Sequence, residues 1–338
     1  MKKEKKVKEE VNENNESVED VMKRLQKKYG DDISVIDTDP KVSGLKVIPT
    51  GSFGLDYAFD CGGIPKGRMI ELFGGEGSGK TTLALFLIGQ VQKQGGKTAF
   101  IDAEHCYDPE HTACLGVDVK SMETIQPASL DIAMDTLRAL VETNQFDLIV
   151  LDSVASMPTI DEIEAESDKQ FYAIQARRLG QALKVLVSFV ARSKTTVIFI
   201  NQLRSKVGIV YGNPETTPGG AALKYYSSLR VQVSSGTRIK DKNDIQIGNE
   251  MKIKMVKNKV GFPFKQTSLD LYYQTGIDLK ADALDFGEQV GVIKKTGNTY
   301  SFGDITLGVS REKAIKTITE DVKLFEDIKK KITEENGK

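Results

Sequence analysis

The stretch that most constrains this chain runs from Ile70 to Ala84, I-E-L-F-G-G-E-G-S-G-K-T-T-L-A. Gly74 to Thr81 fit G-x-x-x-x-G-K-[ST], a loop whose backbone N–H groups turn inward around a phosphate. Gly74, Gly75, Gly77 and Gly79 are expected to supply positive φ and close backbone approach at little cost. Glu76, Ser78 and Thr82 complete the nucleotide-contacting stretch. Lys80 can reach the β and γ phosphates of ATP, and the Thr81 hydroxyl can ligate Mg²⁺. The context agrees. Met69–Phe73 reads as a buried strand, and Thr82–Gln92 as a helix with an apolar stripe. The helix N-terminus adds its positive dipole end to the loop.

Composition bounds the rest. A chain of 338 residues with ordinary apolar and charged content is expected to form one large domain with appendages. Its net charge of −1 excludes a global basic field, so any nucleic-acid contact must be local. No apolar run is long enough to cross a membrane, and three cysteines do not suggest a disulfide scaffold. A cytoplasmic protein is expected.

Residues 1–16 are lysine- and glutamate-rich and read as a disordered tail. Ser17–Tyr29 reads as a helix, capped by Ser17 and Asp20 and ended by Gly30. Val18, Val21, Met22 and Leu25 share one face, which needs a partner surface; residues 17–44 are read as an oligomerisation helix and linker. Residues 45–60 read as a strand, a glycine turn and a helix. Strands alternating with helices from there imply βαβ units, and hence an α/β fold with a mainly parallel sheet over 45–275.

Ligands of such sheets bind beyond the strands' carboxyl ends. Glu104 follows the strand Lys97–Ala103, where an ATPase needs a carboxylate to orient or deprotonate water. Asp147–Ser153 is an apolar strand ending in Asp152, the form of an acid that holds Mg²⁺. Gln202 lies past the strand Thr195–Asn201, where an amide can feel the γ-phosphate. His105, Cys106, His111 and Cys114 match no usual zinc spacing.

Residues 158–172 read as a polar surface loop, and Gln175–Arg192 as a helix carrying Arg177, Arg178 and Lys184. Leu203–Ala222 reads as a long mobile loop with cations and exposed apolar residues, suited to a nucleic-acid strand. Leu229–Ser234 and Glu250–Lys257 read as strands, with Lys257 and Lys259 forming a basic corner, and 270–275 completes the sheet. Residues 276–338 read as a small α+β domain ending in a charged helical tail.

Several stretches together resemble bacterial RecA recombinases over nearly the full length. They include G-S-F-G-L-D at 51–56, G-G-I-P-K-G-R at 62–68, I-D-A-E-H at 101–105 and L-D-S-V-A at 151–155. Most specific as a set are F-I-N-Q-L-R at 199–204, G-N-P-E-T-T-P-G-G-A-A-L-K at 212–224 and V-K-N-K at 256–259. The resemblance implies a RecA-like phosphate-loop core and a DNA-dependent ATPase. Such a protein forms a helical filament on single-stranded DNA and exchanges strands with homologous double-stranded DNA. It implies Glu104 as catalytic glutamate, Asp152 as the Mg²⁺ acid, Gln202 as nucleotide sensor, and Lys257 and Lys259 as contacts to ATP across the subunit interface. Asp108 and His111 fall at nucleotide-binding positions, His111 where the family usually has a tyrosine on adenine. Tyr172, Arg177, Lys184, Arg204, Val207, Gly219 and Gly220 fall at DNA-facing positions. RadA-like chains carry a zinc motif and a protease-like extension that this chain lacks.

Overall fold

The computed structural model describes residues 17–30, 44–164, 172–205, 215–216 and 220–336. The tail 1–16, the linker stretch 31–43, the loop segment 165–171, Val207 and Gly219 lie outside the described residues.

The N-terminal unit contains helix α1 (Val18–Tyr29). Its expected cap is present: Ser17 Oγ accepts from the Asp20 N–H at 3.1 Å and donates to the Asp20 carboxylate at 2.7 Å. Gly30 closes the helix at φ 55°.

The second unit spans Leu45–Lys338. It opens with β1 (Val47–Ile48), α2 (Phe53–Phe59) and β2 (Ile64–Pro65). There follow β3 (Met69–Gly74), α3 (Lys80–Lys93), β4 (Thr98–Asp102), α4 (Pro109–Cys114), β5 (Met122–Ile125), α5 (Leu130–Glu142) and β6 (Leu148–Asp152). The expected loop at 158–172 instead contains a helix, α6 (Ile160–Glu164). Thr159 caps it: Thr159 N–H donates to the Glu162 carboxylate at 2.6 Å, a local closure that the acidic composition alone does not reveal. Next come α7 (Tyr172–Ser193) and β7 (Thr196–Gln202). The expected mobile loop after Gln202 carries two short strands, β8 (Arg204–Ser205) and β9 (Glu215–Thr216), paired antiparallel, and then α8 (Ala222–Tyr226).

Strands β10 (Leu229–Lys240) and β11 (Gln246–Asn258) form one long hairpin. They exceed the expected strands because Asp241, whose carboxylate accepts from the Asn243 and Ile245 N–H groups at 2.9 Å, builds the turn between them. β12 (Gln266–Tyr272) and β13 (Gly276–Ile277) follow. Among the described residues, nine strands form one sheet in the order β13-β12-β11-β10-β3-β7-β6-β4-β5. Five of its eight pairings are parallel and run from β10 to β5, so the sheet is mainly parallel with an antiparallel wing. β13 extends the wing two residues into the stretch read as the start of the C-terminal domain.

Central strands β3, β4 and β6 are buried at every position, as a sheet covered on both faces requires. Helix α3 has no single stripe. Leu83 through Val91 are all buried, because helix and sheet are enclosed together.

The C-terminal part packs α9 (Leu279–Gln289), the antiparallel strands β14 (Ile293–Thr296), β15 (Thr299–Phe302) and β16 (Ile305–Gly308), α10 (Arg311–Glu320) and α11 (Val322–Asn336). Its core includes Leu284, Phe286, Ile293, Tyr300, Ile318 and Ile328. Specific contacts tie it to the large sheet. The Asp282 carboxylate accepts from the Phe53 and Gly54 N–H groups at 2.7 and 3.1 Å, capping α2. Arg311 bridges Asp270 at 2.7 Å and Asp285 at 2.5 Å.

Candidate nucleotide site

Four parallel strands end side by side, at Gly74, Gln202, Asp152 and Asp102. A cleft of about 350 Å³ opens beyond them, lined by Glu76 through Thr82, Glu104, His111, Asp152 and Gln202. Residues up to 197 positions apart in sequence, Glu76 and Tyr273, therefore face one space.

The glycines of the loop differ in what they do. Gly77 and Gly79 adopt φ +65° and +89°. At Gly74 a Cβ would lie 2.0 Å from the Val233 carbonyl oxygen, so close approach to the neighbouring strand requires glycine. Gly75 meets neither expectation: its φ is not in the left-handed region, and a Cβ there would meet open space. Its contribution is a carbonyl that accepts from Lys80 Nζ at 2.8 Å.

Two features of the loop suit an anion. No side chain caps the N-terminus of α3, leaving its first N–H groups to a ligand. Among the described residues the buried Ser78 hydroxyl has no hydrogen-bond partner. Burial pulls the Lys80 ammonium below its ordinary value, while Asp152, Glu104 and Glu76 pull it the other way.

Thr81 Oγ1 donates to Asp152 Oδ2 at 2.5 Å. A hydroxyl and a carboxylate brought this close at the mouth of a phosphate loop are the oxygen donors that a hard divalent cation takes. Burial, before any neighbouring charge, raises Asp152 to about 6.

Glu104 Oε1 accepts from Ser153 Oγ at 2.6 Å and from Gln202 Nε2 at 3.0 Å. The turn that carries Glu104 is itself held. Asp102 accepts from the N–H groups of Cys106 and Tyr107 at 3.3 and 3.1 Å, and from Gln126 Nε2 at 2.8 Å. Sequence reasoning missed Asp102, Ser153 and Gln126. Asp102 did carry a signal, as a carboxylate at a strand end.

The far wall of the cleft was also missed. It consists of Leu115 from the end of α4 and of Asn249, Leu271, Tyr272 and Tyr273 from the antiparallel wing. His111 does line the cleft, but Asp108 does not. One of its carboxylate oxygens, Oδ1, accepts from the Glu110 and His111 N–H groups at 2.9 and 3.2 Å, capping α4.

Lys257 and Lys259 lie apart from this cleft and together with each other. Lys257 Nζ donates to the carbonyls of Lys224 and Tyr225 at 2.6 and 3.0 Å, and Lys259 Nζ to that of Tyr225 at 3.4 Å. Burial and then Lys259 hold the Lys257 ammonium below its ordinary value.

On the opposite side of the sheet from α3, Arg177 and Lys184 are exposed on α7. Neighbouring Arg178 is taken up by Asp161 at 2.9 Å and Asp131 at 3.8 Å. Tyr172 is the first residue of α7. Gly220 turns at φ +74° beside α7, where a Cβ would sit 3.2 Å from that of Ala176. Arg204 lies in β8, its backbone opposite Thr216.

The RecA N-terminal domain family matches residues 16–278, and the RecA C-terminal domain family residues 281–337. The chain is 43% identical over 322 residues to Protein RecA of Caldanaerobacter subterraneus subsp. tengcongensis, covering 95% of this chain and 94% of that one. It is 44% identical over 324 residues to Protein RecA of Thermus aquaticus, covering 95% of each. It is 43% identical over 319 residues to Protein RecA of Francisella tularensis subsp. novicida, covering 94% of this chain and 89% of that one. Two family models that together match residues 16–278 and 281–337, and relatives of this identity over about 95% of the chain, leave one conclusion: the chain belongs to the RecA family.

Proposed function

We propose that this protein is a DNA-dependent ATPase that assembles into a helical filament on single-stranded DNA, then pairs it with homologous double-stranded DNA and exchanges strands in recombination and repair. The observation that carries the proposal is the Glu104 carboxylate, held by Ser153 and Gln202 in the cleft that the phosphate loop also lines.

In this reading ATP is the substrate. The loop amides of Gly74 to Gly79, the Ser78 hydroxyl and Lys80 hold its phosphates, with Thr82 adjoining on α3. His111, Leu115, Tyr272 and Tyr273 offer the apolar and aromatic surface for its base. Thr81 and Asp152 would hold Mg²⁺, which supplies charge neutralisation at the phosphates when bound. Glu104 takes the proton of the attacking water. Two donors on one of its oxygens fix its direction, and one of them, Gln202, leads straight into the loop that follows β7. A nucleotide that draws Gln202 away from Glu104 thereby shifts the start of that loop, which links ATP to DNA.

DNA lies along Arg177, Lys184, Arg204, Val207, Gly219 and Gly220, with Tyr172 at the start of α7. Contacts of this kind are phosphate neutralisation and stacking, largely blind to sequence. Helix α1 serves assembly, and Lys257 and Lys259 reach ATP on a neighbouring subunit. Among the described residues no helix is long and apolar enough to cross a membrane, and we place the protein in the cytoplasm.

The test is imaging and turnover together. With single-stranded DNA and a slowly hydrolysed ATP analogue, negative-stain micrographs should show helical filaments, and the same DNA should raise ATP turnover. Rings, or turnover indifferent to DNA, would favour a RecA-fold helicase and overturn the reading.

A further inference from the structure

A charged network lies in the middle of the sheet and takes no part in the cleft. Glu71, on β3, is fully buried. Its carboxylate accepts from Asn201 Nδ2 on β7 at 3.1 Å and from Arg230 Nε on β10 at 2.5 Å. The Arg230 guanidinium also lies over the Phe73 ring, 4.4 Å from its centre. A carboxylate taken wholly out of water needs such partners, but an apolar residue would fill a sheet centre at less cost. The network is therefore notable for what it connects.

At one end, Asn201 precedes Gln202, whose amide donates to Glu104 at 3.0 Å. At the other, Arg230 stands opposite Lys257 in the β10–β11 register. The Lys257 ammonium feels both charges, lowered by Arg230 and raised by Glu71, after the larger effects of burial and Lys259. One pair, the buried Glu71 and the half-buried Arg230, thus bridges the strand that touches the chain's own cleft and the corner that holds Lys257 and Lys259.

We infer that Glu71 and Arg230 are positioning residues, which keep Gln202 and the Lys257–Lys259 corner in one fixed relation across β3. The chain's own cleft and the cations it offers to a neighbour then move as a unit. Nucleotide state read by Gln202 reaches the neighbouring site through the sheet as well as through the DNA. This inference rests on the proposed trans role of the two lysines.

Subunit mixing on single-stranded DNA tests it. Lys80→Ala protein has a damaged cleft and an intact corner; Lys257→Ala/Lys259→Ala protein has the reverse. Mixed in equal amounts, about one interface in four joins an intact cleft to an intact corner. About a quarter of wild-type turnover should return, and no return would remove the trans lysines and this inference with them.

Glu71→Gln keeps the side-chain shape and removes the charge. Its turnover with DNA should fall at least about tenfold while KM for ATP stays within about threefold, the mark of a lost transition-state arrangement rather than lost binding. Mixed with either partner protein, it should restore nothing, because both its cleft and its corner are out of place. Co-assembly is checked by labelling each protein. Restoration with one partner alone would confine Glu71 to one side and overturn the coupling, as would wild-type turnover. If Glu71→Gln fails to give a native thermal melt, Arg230→Lys is read in the same three mixtures. It keeps the charge and loses the Nε hydrogen bond, and the same outcomes decide.

Discussion

The two halves of the large sheet contribute to the site in different ways. The parallel half, β3, β7, β6 and β4, delivers the groups to which the chemistry is proposed to fall: Lys80 and Thr81 just past β3, Gln202, Asp152, and Glu104 just past β4. The antiparallel wing delivers a wall, Asn249 and Leu271 to Tyr273, and the lysine corner. Strand direction explains the difference. Parallel strands bring their carboxyl ends to one edge whatever their separation in sequence, so one edge gathers side chains from distant stretches. Antiparallel strands alternate their ends, so the wing can line the cleft at one edge and present Lys257 elsewhere.

The comparison predicts that substitutions among the parallel strand ends act on chemistry, and substitutions in the wall that the wing gives the cleft on binding. Lys80→Ala should have the largest effect, lowering kcat/KM for ATP by about 10³-fold, because it removes the phosphate cation from a preorganised loop. Steady-state ATPase assays on the folded variant check this, and unchanged activity would dissolve the contrast between the halves.

Glu104→Gln should lower kcat by about 10²-fold while ATP and DNA still bind, the amide keeping the shape and losing the base. Filaments of this variant should outlast those of the wild type. Loss of nucleotide binding in calorimetry would instead make Glu104 structural.

The joint between α2 and the C-terminal domain should show as a pH effect on stability. Burial raises Asp282 to about 7, against an ordinary 3.8. The folded state thus holds the proton more tightly than the unfolded state. The stability this group contributes is full below about pH 4 and is lost as pH rises through about 7, some 1.4 kcal/mol per unit and about 4 kcal/mol at most. Asp282→Asn should remove that slope, so the difference between the two proteins in urea melts should change between pH 4 and 8. A constant difference would mean that the carboxyl does not titrate in this range.

Tyr273→Ala in the wing should raise KM for ATP about fivefold, equivalent to about 1 kcal/mol of lost contact, with kcat little changed. A fall in kcat of more than tenfold would place the wing in the chemistry after all. The smallest effects are expected on α7. Arg177→Ala should weaken DNA binding evenly across sequences and reduce the salt slope by about 1. Arg178→Ala, whose guanidinium is already taken up by Asp161 and Asp131, should change DNA affinity less.

Most of the cleft's parallel edge was legible because its signals are local. A phosphate loop needs its glycines and lysine at set spacing, and a buried strand ending in an acid, as at Asp152, announces itself by composition. The failures are of another kind. Gly75 fits the pattern, yet only the backbone reveals that its φ is ordinary and its Cβ position open. Asp108 lies three positions before His111, which lines the cleft, yet it does not line the cleft itself, and its Oδ1 caps α4. The helix at Ile160–Glu164 hid in a polar stretch, because its closure by Thr159 and Glu162 outweighs its weak periodicity.

What the amino-acid order determined by itself was therefore the phosphate loop, the alternation of strand and helix, the cap of α1 and the acids and amide at the strand ends. These depend on contacts within a few residues, or on a periodicity that each segment carries alone. Only the tertiary structure decided that Ser153 and Gln202 converge on Glu104, that Tyr272 and Tyr273 wall the cleft, and that Glu71 links β7 to β10. Such contacts join residues up to 159 positions apart, as in the pair of Glu71 and Arg230. Their partners are chosen by the order and direction of strands in the sheet, and no short stretch of sequence contains that choice.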